Sequence, residues 1–419
     1  MYYLYYYLSL IASPFVPLFL RFRLKKGKEH PGRFGERLGV ASRKRDNSKK
    51  LLWIHAASVG EANSVLPLIQ HLSHECPRLQ ILLTTVTVTS EKLMQNKLPE
   101  GVIHQFAPVD TPLAVKRFLD YWQPDMGIMV DSEFWPNLLM EAKKRNVILG
   151  VINARMSANS FQKWQKFAPA FIRQLLQCFD FCFAGSEQDK QHLNASGLDR
   201  INAVCNLKYD APALTGNETE LASLRNQLGT RPVWLAASTH EGEESQLIQA
   251  HTLLLQDFPE LLTVIVPRHA KRGDEIANLV EQAGYMAMQR SKNQPIEQAT
   301  HFYIADTMGE LGLFYRLSEV VFMGGSLIPH GGQNPLEPAR IGCAMVTGLH
   351  YHNFTGIVED LHKQNAIITI ENSKNLAEQV KELFQSPEKK AIMIANAKQQ
   401  AKSKGGAILA ISQLVKSYF

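Results

Sequence analysis

The chain has 419 residues, 45% hydrophobic and 20% charged, enough apolar material for two ordinary domains and too much for a disordered chain. Its 45 basic and 39 acidic residues leave a net charge of +6, which suits an anionic substrate or an acidic membrane surface; no long Lys/Arg block points to nucleic acid. The five cysteines form no CxxC pair and are odd in number, so they read as reduced thiols in a cytosolic setting.

The first twenty residues, MYYLYYYLSLIASPFVPLFL, carry no charged side chain, and the basic run RFRLKK (21–26) follows at once. That length can span a bilayer, whereas Pro14, Pro17 and the Tyr-rich start favour the interface, so a retained anchor is expected in either form, the alternative being a helix packed on the protein itself. No basic segment precedes the apolar run and no small-residue cleavage site follows it, which argues against a removed signal peptide. The basic flank places the body of the protein on the cytoplasmic side. The basic stretch VASRKRDNSKK (40–50) reads as a flexible loop.

From residue 50, buried apolar runs alternate with amphipathic helical ones. LLWIHA (51–56), ILLTTV (81–86), VIHQF (102–106), DMGIMV (125–130), VILGVI (147–152) and FCFAG (181–185) predict strands. TPLAVKRFLDYW (111–122) and WPNLLMEAKK (135–144) predict helices with proline in the first turn. The pattern pauses at YDAPALTGNETE (209–220), a linker by composition, and restarts with VWLAAS (233–238), LTVIVP (262–267), HFYIAD (301–306), EVVFMG (319–324), AMVTG (344–348) and AIITI (366–370). Such alternation predicts two doubly wound parallel sheets, with ligands bound beyond the carboxyl ends of strands and a cleft where two such domains face each other. The expected division is an anchor over 1–26, an N-terminal domain over 27–210, a C-terminal domain over 211–404, and a last helix over 405–419, apolar on one face, whose packing back on the first domain the sequence leaves open.

The polar residues at strand ends carry the candidate chemistry. In the first half they are Ser58 and Glu61, Asp131 and Glu133, Asn153 and Arg155, and Ser186 and Glu187, with Lys208 just before the linker. In the second they are Ser238, His240 and Glu241, the cluster PRHAKR (267–272), Met308-Gly309-Glu310, and the loop GGSLIPHGGQNPLEPA (324–339). The glycines of that loop allow close backbone approach to a ligand, while Asn334 and Pro335 suit the N-cap and first position of a helix whose N–H groups face a phosphate. Arg268, His269, Lys271 and Arg272 can pair with phosphate or carboxylate. Glu61 also suits a plain helix-dipole role at the start of its helix. No GxGxxG or GxxxxGK[ST] motif occurs, which weighs against dehydrogenase and ATPase chemistry, and no HExxH or Cys/His cluster suggests zinc. If the strand continues through Asp131-Ser132-Glu133, the two carboxylates point to opposite faces and do not chelate one metal. His55, Ser58 and His330 read as structural or supporting groups.

HAASVGE (55–61), DSEFWPN (131–137), NARMS (153–157), NLKYD (206–210), PRH (267–269) and GGQNPLEPA (331–339), in this order and over nearly the whole chain, resemble the 3-deoxy-D-manno-octulosonic acid (Kdo) transferases of Gram-negative bacteria. The apolar N-terminus followed by HPGRFGERLG (30–39) is similar as well. The resemblance implies a GT-B glycosyltransferase fold of two Rossmann-like domains. It also implies CMP-Kdo as donor, the lipid A precursor lipid IVA as acceptor, and a place at the cytoplasmic face of the inner membrane among its lipids. By it, Glu61 is a general base, and Asp131 and Lys208 stabilise the transition state. CMP contacts fall on Pro267, Arg268, Met308, Gly309, Glu310, Leu311, Asn334, Pro335, Leu336 and Glu337. No cofactor or metal is expected for transfer. Asp131 departs from the family, which often has Glu there, and its shorter side chain reaches less far. The rival readings are another two-domain nucleotide-sugar glycosyltransferase with a lipid acceptor, such as a lipid A disaccharide synthase or a heptosyltransferase, and a non-catalytic nucleotide-sugar-binding membrane protein.

Overall fold

The computed structural model describes residues Met1–Phe419. The chain divides into two units, one of Met1–Ala211 with Lys404–Phe419 and one of Pro212–Ser403. Each is built on a seven-stranded sheet in which every strand pair is parallel, the GT-B-like arrangement.

In the first unit the strands are β1 (Lys50–His55), β2 (Leu79–Thr85), β3 (Ile103–Phe106), β4 (Met126–Val130), β5 (Ile148–Ala154), β6 (Phe181–Ala184) and β7 (Ile201–Val204), in spatial order β3-β2-β1-β4-β5-β6-β7. The central strands are apolar on both faces because helices cover both, so alternation is absent and buried runs such as Leu51–Ile54 mark them. One face packs Trp53, Phe118 and Trp122, the other Ile54, Val65 and Leu68. Gly150 in β5 is required by packing: a Cβ there would lie 1.9 Å from the Phe181 ring. The final helix, Ala407–Tyr418, belongs to this unit, with Ala407, Ile411 and Val415 in the second of those clusters. Its first turn is held by Asp210, whose two carboxylate oxygens accept from the Gly406 and Ile408 amides.

The second unit repeats the plan with β8 (Val233–Thr239), β9 (Leu262–Pro267), β10 (Ala287–Gln289), β11 (Phe302–Ile304), β12 (Val320–Met323), β13 (Ala344–Thr347) and β14 (Ile367–Thr369), in spatial order β10-β11-β9-β8-β12-β13-β14. Strands β7 and β10, which the sequence reading lacks, are both at sheet edges or beside short partners; the first is only partly buried and has no continuous apolar run. In each sheet the winding reverses beside the first strand, between β1 and β4 and between β8 and β12.

The N-terminal segment forms helices Tyr2–Ala12 and Val16–Lys25, joined by a single 3-10 turn, Ser13–Phe15, that accommodates Pro14. Together they are long and apolar enough to cross a membrane, by length and composition. One stripe is tied to the body of its own unit: the Tyr5 hydroxyl donates to Asp110 at 2.9 Å and the Asn137 amide donates to Ser9 at 2.9 Å. The outer side leaves Tyr3, Ile11, Phe15 and Leu18 exposed. The stretch 40–50 is not loose, since Arg45 donates to the Gln123 carbonyl and Gln80 accepts from the Asp46 amide.

Candidate active site

Glu61 lies in the first turn of helix Val59–Glu75, directly after β1. Ser58 is the N-cap and accepts from the Glu61 amide; in return the Ala57 amide and the Ser58 hydroxyl donate to the two Glu61 carboxylate oxygens, each at 2.7 Å. This is a capping box displaced by one residue, so the helix-start role of Glu61 is realised, with its carboxylate locked in one orientation. Asp131 follows β4 in a left-handed conformation (φ +61°), its amide bonded to the Ile152 carbonyl. The strand therefore stops at Val130, which corrects the alternation argument made from the sequence. Asp131 and Glu133 part for another reason. Glu133 turns to the buried His55, with Nε2 at 3.5 Å, and takes the Trp135 indole N–H. Burial alone would raise the Glu133 pKa, but those two partners outweigh it and hold the carboxyl below its usual range.

Lys208 is not a linker lysine. It lies on the 3-10 turn Leu207–Tyr209, half-buried. Asn153 at the end of β5 holds this turn: its side-chain oxygen accepts from the Leu207 amide at 2.8 Å, and Asn206 accepts from the Lys208 amide at 3.0 Å. Asn153 is 2% exposed, has φ +50°, and its side-chain nitrogen has no partner. Burial pushes the Asp131 carboxyl up to about 6; Lys208 and Arg155 pull it down, while Glu61 and Glu133 push it further up. Burial likewise lowers Lys208, against the pull of Asp131 and Glu61. Both partners are thus displaced toward neutrality, because loss of water outweighs their attraction. Glu61, Asp131 and Lys208 share one electrostatic neighbourhood at the carboxyl ends of β1, β4 and β7, astride the winding reversal where open parallel sheets bind ligands. A pocket of about 670 Å³ lies at the other end of this sheet, at the amino ends of β1, β4 and β5 beside Lys50, Asp125 and Ile148, and holds none of these groups.

In the second unit, the residues singled out from the sequence follow four neighbouring strands, β11, β9, β8 and β12. Pro267 ends β9 and is buried; Arg268 is exposed. Met308 is 76% exposed and Gly309 has φ +84°. Leu311 opens a helix, and the Glu310 carboxylate is held by Arg290 at 2.8 Å, the main reason its pKa is lowered. Glu310 is therefore committed to Arg290. Asn334 accepts from the Leu336 amide at 3.2 Å, but the helix it caps, Leu336–Ile341, is six residues long and begins one residue later than expected, after Pro335. So short a helix has a weak dipole. Glu337 is raised by burial, against Asn334, Arg340 and Arg268.

Glu243, which the sequence reading passed over, organises this end of the sheet. It is fully buried, and its two oxygens accept from four amides: His240 at 3.0 Å, Gly325 at 2.6 Å, Ser326 at 3.0 Å and Leu327 at 3.0 Å. The N–H groups of the glycine loop thus point at a carboxylate of the protein itself. Gly324 is required there because a Cβ would sit 2.5 Å from the Ser238 carbonyl oxygen.

Residues 32–211 match the family model described as 3-deoxy-D-manno-octulosonic-acid transferase (kdotransferase). Residues 239–400 match the model described as glycosyl transferases group 1. A relative from Arabidopsis thaliana, described as a probable mitochondrial 3-deoxy-D-manno-octulosonic acid transferase, is 36% identical over 92% of this chain and 89% of that one. The chain belongs to the Kdo transferase family. The Haemophilus influenzae 3-deoxy-D-manno-octulosonic acid transferase is 31% identical over 98% of this chain and 97% of its own. A glycosyltransferase structure from Rickettsia africae covers 89% of this chain and 98% of its own at TM-score 0.59 and 14% identity, which shows the shared fold. As a Kdo transferase the chain is a glycosyltransferase, and its strand-end groups are the candidates for that chemistry.

Proposed function

We propose that this Kdo transferase moves Kdo from CMP-Kdo to lipid IVA in lipopolysaccharide biosynthesis, by one inverting displacement. The observation that carries this is the grouping of Glu61, Asp131 and Lys208 at the winding reversal of the first sheet. A hydroxyl oxygen of the acceptor attacks the anomeric carbon of Kdo. Its proton passes to Glu61 as the new C–O bond forms, and the electrons of the breaking C–O bond leave with the CMP phosphate. General-base help of this kind is worth roughly 10²–10⁴-fold in rate. Ionised Asp131 faces the positive charge that builds at the anomeric carbon, and Lys208 balances it. CMP contacts are proposed for Pro267, Arg268, Met308, Gly309, Leu311, Asn334, Pro335, Leu336 and Glu337, with Glu310 contributing main chain because its side chain is held by Arg290. No metal takes part. The apolar N-terminal helices and the basic run after them hold the protein on the cytoplasmic face of the inner membrane.

One observation favours a second reading of the base. Both Glu61 oxygens already accept hydrogen bonds, whereas burial brings Asp131 to about 6, closer to the working pH of a base. The test is a transfer assay with lipid IVA and freshly made CMP-Kdo, read by the mass of the lipid. Wild type should add whole Kdo units, and Glu61→Gln should lose about 10²–10⁴-fold in kcat while keeping CMP protection. A wild-type rate in Glu61→Gln with a dead Asp131→Asn would move the base to Asp131.

A further inference from the structure

We propose that His240, His269 and His330 form a subsite for the carboxylate of the transferred sugar, next to the CMP contact Arg268 and otherwise separate from the nucleotide contacts. It rests on the reading of the chain as a CMP-Kdo-dependent transferase. Three adjacent strands deliver the groups: His240 directly after β8, Arg268 and His269 directly after β9, and His330 from the loop after β12. The His240 and His330 ring centres are 3.7 Å apart, and His269 is 6.3 Å from His240. Gln333 reaches His240 Nε2 at 3.1 Å. Donation by that amide makes Nε2 the acceptor and leaves the Nδ1–H as donor.

No carboxylate makes an ion pair or hydrogen bond within the cluster, although Glu337 attracts Arg268. Arg268, His269 and His330 make no ion pair and no side-chain hydrogen bond. Glu241, next to His240 in sequence, is exposed to solvent; the other carboxylates nearby are committed. Glu243 takes four amides, Glu244 takes Thr239 at 2.9 Å and Arg272 at 2.7 Å, and Glu337 takes the Asn334 amide. Burial, then His330, His269, Arg268 and Arg272, press the His240 pKa down to about 4. His240 is therefore uncharged at neutral pH and offers an anion a hydrogen-bond donor, its Nδ1–H, while the charge beside it comes from Arg268. The backbone is shaped for the rings as well: Gly325 has φ +69°, and a Cβ there would lie 3.1 Å from His240 and 3.4 Å from His330.

The anion is assigned to the sugar by chemistry. Kdo carries its carboxylate on the anomeric carbon, the carbon that bears the phosphate, so the acid lies beside the phosphodiester wherever that is bound. The amides of Gly325, Ser326 and Leu327 are closed to either anion by Glu243. An imidazole N–H gives one directional bond, suited to a planar carboxylate oxygen.

The experiment compares the full chain with His330→Gln and His269→Gln, both changed at exposed residues. It measures KM for CMP-Kdo and the inhibition constant of CMP, with thermal melting to confirm folding. Each variant should raise the KM at least tenfold and leave the CMP constant within twofold. An unchanged KM, or a CMP constant that rises in step with it, overturns the proposal; the second result would make this a phosphate site. Failure of wild type to use CMP-Kdo would overturn the underlying reading first, and is seen before any variant is compared.

Discussion

Glu243→Gln isolates the role of one buried carboxylate. Its two oxygens each accept two amides, so an amide in its place keeps one acceptor and turns an N–H₂ toward two donors. Two charge-assisted bonds at about 1.5–3 kcal/mol each set a gross loss of about 3–6 kcal/mol. Some of this returns, because burial raises the Glu243 pKa and the neutral amide avoids that desolvation cost. The expected net is about 2–4 kcal/mol, or roughly 4–16 °C in the melting of a unit of this size. The assay is differential scanning calorimetry of the full chain, with the second unit identified as the transition that CMP shifts upward. Glu243→Gln should lower that transition, leave the other in place, and weaken the CMP shift, because the loop after β12 is no longer tied to the end of β8. A transition within 1 °C of wild type, with a full CMP shift, would refute the idea that this carboxylate organises the loop.

Asn153→Ala removes the acceptor for the Leu207 amide; transfer should fall at least tenfold in kcat with the CMP inhibition constant unchanged, and parallel loss of both would instead indicate general unfolding. Because burial holds Asp131 near 6, it is ionised above that pH and protonated below it, so kcat/KM should fall as pH drops through about 6. That acid limb should be missing from Asp131→Asn, and its survival would assign it elsewhere. Gly150→Ala forces a Cβ into the Phe181 ring and should cost about 1–3 kcal/mol in urea unfolding. Replacing Ile11, Phe15 and Leu18 by Asp should abolish sedimentation with anionic lipid vesicles while leaving the circular dichroism spectrum intact, since these side chains face outward.

The twin winding was legible because central parallel strands are apolar on both faces, so runs such as Leu51–Ile54 and Leu262–Val266 announce themselves. Ile201–Val204 was not, because it is only partly buried and its residues need not be continuously apolar. The strand-end positions of Glu61, Asp131 and Arg268 were legible for the same reason as the strands before them. Glu243 was not: it stands in THEGEES among other acids, and only a loop more than eighty residues later makes it the buried one. The signal lay in that loop, whose crowded glycines leave amides in need of an acceptor. Asn153 is a similar case, since its partner is 54 residues away. His330 read as a supporting group because nothing in its own neighbourhood places it against His240.

The return of helix Ala407–Tyr418 to the first sheet bears on how the chain is made. Ala62, Val65 and Leu68 leave the ribosome before Pro212–Ser403, yet Ala407, Ile411 and Val415, which belong to the same cluster, are synthesised after it. During translation the first sheet must wait with that face uncovered while Pro212–Ser403 is completed in between. A nascent chain that has reached residue 404 but not helix Ala407–Tyr418 therefore has a finished second unit and a sticky first one, the form a chaperone would be expected to hold. A truncation at residue 404 would injure the first unit, on the far side of Pro212–Ser403 in sequence.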